Sequence, residues 1–142
     1  MNLSKGTILL AVIVAMPAVT SCQHDTEILW KQMRKQIPLY NPESILIPAG
    51  KSSAQVSGAI RRSLLAKKWL LVKNENGRIE ASYKKSNYIL STVDIQYDNQ
   101  AIRINYKESE GLNYDSGTGT IHKSYNETVR GLETVIRGQI RD

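Results

Sequence analysis

The chain has 142 residues, a formal net charge of +6, one Cys, two His, seven Tyr, two Trp and no Phe. That length allows one modest domain with a leader and a tether, and a lone cysteine excludes an internal disulfide framework. Two histidines and one cysteine cannot complete a common zinc set, so no metal or other cofactor is expected.

Met1 to Gly6 is short and polar, with one positive charge at Lys5. Thr7 to Ala15 is almost wholly apolar, Pro17 breaks any helix through its ring, and small residues lead up to Cys22. Charged, apolar and small residues in that order make a secretory signal. The apolar run is too short to cross a bilayer, which takes about 20 residues. Val19-Thr20-Ser21-Cys22 resembles the lipobox at which bacterial lipoproteins are cut and acylated. On that resemblance residues 1–21 are a lipoprotein signal peptide and Cys22 is the lipidated N-terminus, anchored in the membrane. The competing route is an ordinary signal peptidase cutting nearby, which leaves a free thiol in an oxidising compartment. Lipidation accounts for both the odd cysteine and its position. The resemblance also implies the outer membrane of a Gram-negative bacterium, because Gln23 stands where an inner-membrane-retained lipoprotein has Asp. The domain then faces the periplasm, and export removes nucleic acid as a partner.

Residues 22–51 read as the lipidated N-terminus and tether. His24, two residues past the anchor, reads as exposed tether. The spacing predicts a short amphipathic helix over Thr26 to Ile37, with Thr26 as N-cap and Leu29, Met33 and Ile37 on one face. So near the anchor, that helix either lies on lipid or packs on its own domain. Pro38, Pro42 and Pro48 then prevent continuous helix, and Ile45-Leu46-Ile47 predicts a short edge strand.

Residues 52–142 read as the globular domain. Ser52-Ser53-Ala54-Gln55 is a capping box, and Val56, Ala59, Ile60 and Leu64 recur at helical spacing behind it. Four strands follow. Trp69 to Asn74 is the first, and Asn76-Gly77 is a tight-hairpin signal. Arg78 to Lys84 alternates with Ile79, Ala81 and Tyr83 on one face. Tyr88 to Tyr97 places Ile89, Val93, Ile95 and Tyr97 together, and Ala101 to Lys107 turns Ile102, Ile104 and Tyr106 inward. Glu108 to Gly119 is a polar, Gly-rich loop. A last helix from about Thr120 carries Ile121, Tyr125, Val129, Leu132 and Ile136 as its apolar stripe. A sheet with one dry face needs a cover, and two amphipathic helices supply it. The fold class expected is α+β: a two-layer sandwich of an antiparallel four-stranded meander flanked by an N-terminal and a C-terminal helix on one face.

Ala59-Ile60, Trp69, Ile95-x-Tyr97, Ile104-x-Tyr106, Leu112-x-Tyr114, Ile121-His122 and Tyr125-Asn126 together resemble an uncharacterised family of small lipoproteins of Gram-negative bacteria. The similarity spans residues 52 to 137 and implies no reaction.

Candidate chemistry is sparse. His122, placed in the first turn of the last helix, is the one histidine in the domain, and a local hydrogen-bonding role is the simpler reading. Asp94 and Asp98 share a strand parity, but Asp98 falls in a turn and neither has an obvious apolar pocket. Ser116-Gly117-Thr118-Gly119 lacks the Lys-Ser/Thr ending of a phosphate-binding loop, and Asn126-Glu127-Thr128 fits the glycosylation triplet by chance within a helix. The candidate binding surface is Arg78, Lys84, Lys85, Arg103 and Lys107, read as one basic sheet face for an envelope protein, a cell-wall polymer or anionic lipid. Lysines protecting sheet edges are the plainer account. The expected function is therefore a membrane-anchored, non-enzymatic binding or assembly module of the cell envelope. The alternative is a small periplasmic hydrolase or transferase using His122 with a carboxylate, which requires a deep pocket joining the two.

Overall fold

The computed structural model describes residues 36–142. The signal peptide, Cys22, His24 and the 26–35 part of the expected amphipathic helix lie outside the described residues. The elements are β1 (Gln36–Pro38), β2 (Ile45–Leu46), α1 (Ser53–Ala66), β3 (Leu70–Glu75), β4 (Arg78–Ser86), β5 (Ile89–Tyr97), β6 (Ala101–Glu110), β7 (Thr120–His122) and α2 (Lys123–Arg141). Strands β2 to β6 form a five-stranded antiparallel sheet in the order β2-β6-β5-β4-β3, and β1 pairs with β7 in a separate two-stranded sheet. This is the expected α+β sandwich, with β2 extending the four-stranded meander at one edge.

Helix α1 begins where the capping box closes. Ser52 Oγ accepts from the Gln55 N–H at 3.2 Å, and Gln55 Oε1 accepts from the Ser52 N–H at 2.8 Å. Its stripe of Val56, Ala59, Ile60 and Leu64 is buried. The helix stops because Lys68 turns left-handed, with φ at 60°. The Trp69 N–H then returns to Leu64 O at 2.8 Å and the Lys68 N–H to Leu65 O at 3.1 Å. That is the Schellman arrangement with lysine in the usual glycine place, at a cost of about 1 kcal/mol. The turn delivers Trp69 to the core and starts β3.

Strand alternation builds the other half of the core. Ile79 on β4 stands opposite Ile95 on β5, which stands opposite Ile104 on β6, and Ala81 faces Val93. All five are buried in one cluster with the stripes of both helices. Each large aliphatic side chain so placed contributes about 1.5–3 kcal/mol. Gly77 (φ +75°) carries the positive φ of the β3–β4 turn by itself, without a left-handed Asn76. Gly111 (φ +67°) ends β6 so close to the β4–β5 turn that a Cβ would run into the Tyr88 carbonyl. No other residue fits there.

Three sequence expectations are corrected. First, Gln36 and Ile37 are strand, not the end of a helix: they pair with His122 and Ile121. Pro38 favours this outcome, since it pushes the residue before it out of helical geometry. Second, α2 starts at Lys123, because Thr120, Ile121 and His122 are held in β7 by that pairing. Third, β6 runs on to Glu110, where it pairs with Leu90 past a bulge at Thr92/Val93.

The folded body thus reaches back at least to Gln36, and part of the segment read as tether belongs to it. Ile45 and Ile47 are buried in the core. Asn126 Nδ2 donates to Pro38 O at 2.8 Å, and its Oδ1 accepts from the Tyr40 N–H at 3.0 Å. Tyr40 donates its hydroxyl proton to Glu133 Oε2 at 2.7 Å, and Arg137 holds the other carboxylate oxygen at 2.7 Å. The Arg130 guanidinium lies 3.6 Å over the centre of the Tyr40 ring. Residues 38–40 are clamped to α2, and the Asn126 amide is buried and committed to that clamp.

Candidate functional site

The outer sheet face carries four of the five cations singled out in the sequence, and three of those four have acidic neighbours. Arg78 Nε donates to Asp94 Oδ1 at 2.6 Å, and Gln96 Nε2 donates to Asp94 Oδ2 at 3.2 Å. Lys107 pairs with Glu80, and Arg103 lies 3.8 Å from Asp98. Lys84 is exposed on the same parity as Arg78. Lys85 takes the opposite direction, as neighbours on a strand must: its Nζ lies 3.3 Å from Ser124 Oγ at the start of α2. The basic face is therefore a cross-strand lattice of opposite charges in which Lys84 stands apart and from which Lys85 is missing.

Asp98 acts as a turn former. Its Oδ1 accepts from the backbone N–H groups of Gln100 at 2.7 Å and Ala101 at 2.8 Å. Those two bonds, Ala101 first, hold its carboxyl below the usual Asp range. A depressed folded value means stability that is fully present above the unfolded value near 4 and is lost as pH falls through the folded value. Asp98→Ala is accordingly expected to melt below the parent at neutral pH, with the gap narrowing under acid. Thermal melts between roughly pH 7 and 2 check this, and a gap independent of pH would refute it.

His122 is the N-cap of α2, and its Nδ1 accepts from the Ser124 N–H at 3.2 Å. Its own N–H reaches Leu112 O at 2.9 Å. The residue thereby joins the loop after β6 to the start of α2. Among the described residues no group of three or more His, Cys, Asp or Glu is arranged to hold a metal ion.

Sequence reasoning missed the groove between α1 and β3. It encloses about 520 Å³. The helix side supplies Gly58, Arg61, Arg62 and Leu65, and the strand side supplies Trp69, Leu70 and Leu71. Leu65 lies off the buried stripe of α1 and is 80 % exposed; Leu70, Leu71 and Val72 are 69 %, 41 % and 52 % exposed. Every residue of β3 is exposed, and among the described residues the strand pairs only with β4. The opposite sheet edge, β2, is only two residues long. Short strands are a usual way to blunt an edge; a long apolar edge is unusual without a partner.

The walls of the groove are set by local structure. Leu71 stands opposite Ala81, whose side is the core side, yet α1 does not cover it. A bulge between Leu71 and Lys73 adds a third apolar residue to the edge without alternation. Arg62 Nε donates to Gln139 Oε1 at 3.0 Å, and its guanidinium sits where a Cβ on Gly58 would meet it at 3.3 Å. Trp69 packs against Tyr83 with ring centres 5.5 Å apart. Among the described residues its buried indole N–H has no hydrogen-bond partner. The sequence did hold a signal: Leu64-Leu65 doubles the helix stripe, and Leu70-Leu71-Val72 is apolar on both strand faces.

No family model, no curated protein and no solved structure matches the chain.

Proposed function

We propose that the chain is a lipoprotein of the bacterial cell envelope, held through acylated Cys22 in the outer membrane with its domain in the periplasm, and that it acts by binding rather than by catalysis. The anchoring half rests on the leader and Val19-Thr20-Ser21-Cys22. No helix of the described residues is long and apolar enough to cross a membrane. Buried acyl chains contribute about 0.8 kcal/mol per CH₂, so one chain holds only reversibly, whereas the two or three of a mature lipoprotein hold durably. The binding half is carried by the exposed apolar groove along the β3 edge, which no other described strand pairs, a surface that costs solubility unless something occupies it. The charge-paired outer sheet face supports the reading less well, because its cations are largely neutralised in place.

Metabolic labelling with a fatty acid tests the anchor. Label is expected on the parent chain and absent from Cys22→Ala; a freely soluble mature product with an unmodified thiol would overturn it. A photo-crosslinking residue at Leu71, in the native envelope, tests the surface. Adducts are expected at Leu71 and not at Arg103 on the outer face. Adducts at Arg103 alone, or at neither position, would remove the groove from the proposal.

A further inference from the structure

We propose, resting on the binding-module reading above, that the groove receives an extended peptide segment of a partner protein. The segment adds as a new strand to the edge of β3 away from β4, sets alternate apolar side chains between β3 and α1, and presents an acidic side chain to Arg61 and Arg62.

The main chain supplies the first reason. Strand β3 is six residues long, so its outer edge offers about 20 Å of N–H and C=O groups that no other described strand matches. A strand laid on that edge points every second side chain to the helix side, where the groove lies. Main-chain bonds then give the attachment, and the groove selects the side chains.

Charge supplies the second. The groove has two arginines and no carboxylate among its lining residues. Arg62 is fixed in position by Gln139, and Arg61 is exposed beside it. An apolar trough whose helix wall carries two arginines fits a segment that is apolar at alternate positions and bears acidic side chains.

The other occupants fit less well. A bilayer would strip water from the β3 edge and leave its backbone groups unsatisfied in hydrocarbon. A second copy would bring another strongly basic chain, with its own pair of arginines, against this one.

The test uses the full lipidated chain in phosphatidylcholine nanodiscs. The probe is a fluorescein-labelled peptide of alternating Val and Thr that ends in two Asp, followed by anisotropy. Saturable binding is expected. It should weaken about tenfold or more when the two Asp become Lys, or in the Arg61→Glu/Arg62→Glu variant. The charge-reversed variant should recover affinity for the Lys-ended probe, which also shows that it folds. N-methylation along the peptide should weaken binding about tenfold at every second position and little between, because only alternate N–H groups face the strand. Amide exchange on the protein should slow at alternate residues of Leu70–Glu75. Absence of binding, or indifference to N-methylation, would overturn strand addition. So would β3 protection by phosphatidylglycerol vesicles without peptide, or self-association in sedimentation that Leu71→Asp abolishes. If the peptide fails while Leu71 still crosslinks an envelope component, the binding-module reading survives and strand addition falls.

Discussion

Replacing Tyr125 with alanine is expected to lower the stability of the fold by about 3–5 kcal/mol, among the largest effects available to one side chain here. Tyr125 is among the largest fully buried side chains of the protein. Its ring meets Tyr106 edge-on at 5.4 Å, and Tyr106 in turn lies 4.3 Å from Tyr114. The three rings join α2, β6 and the loop after β6. The surrounding core is already close-packed, so little can move in to fill the space. For a domain of this size the loss corresponds to a fall in Tm of at least about 12 °C.

Tyr125→Phe separates the ring from the hydroxyl. It keeps the packed surface and is expected to cost less than about 1.5 kcal/mol. It should also change the alkaline limb. Burial first, and then the neighbouring Tyr106 and Tyr114, push the Tyr125 hydroxyl well above its ordinary value near 10. With the folded value raised, its contribution is intact below pH 10 and is lost as pH rises through the folded value. Tyr125→Phe should therefore lose stability less steeply above pH 10 than the parent does. Denaturant melts across that range read the difference, and parallel curves would count against burial as the cause.

Local signals carried much of this fold. The capping box at Ser52 and the clean alternation of Ile79-Ala81 and Ile102-Ile104 describe contacts within a few residues, and each appeared where expected. The same holds for the meander, because Asn76-Gly77 and Asp98-Asn99 leave the chain little choice but to turn back. What escaped depends on distant partners. Gln36–Pro38 is strand only because Thr120–His122 lies beside it, and the helical spacing of Leu29, Met33 and Ile37 ran across that boundary. The charged outer face was legible in parity but not in sign, since nothing local says that Arg78 meets Asp94 or that Lys107 meets Glu80. The groove was hidden for a related reason. A run such as Leu70-Leu71-Val72 reads as core until it is known that α1 stops short of covering it.

A chain beginning at Ser52 is expected to lose its cooperative fold, whereas one beginning at Gln36 keeps it. The shorter fragment gives up Ile45 and Ile47 from the core, worth about 1.5–3 kcal/mol apiece. It also uncovers Ile102 and Ala101, the partners of β2. The buried Asn126 amide loses both of its backbone partners, adding about 1–3 kcal/mol for groups left unpaired. Together these approach the whole stability of a typical small domain, about 5–15 kcal/mol. Loss of near-ultraviolet circular dichroism and of a sharp thermal transition in the 52–142 fragment, both retained by 36–142, would bear this out. If the fragment instead melts within a few degrees of the longer chain, residues 36–51 are dispensable and the tether does extend to Ser52. The distinction bears on function because it sets the leash. If Cys22 is acylated as proposed, residues 23–35 can carry the described body at most about 45 Å from the lipid even when fully extended. The β3 edge would then be confined to partners in or near that membrane.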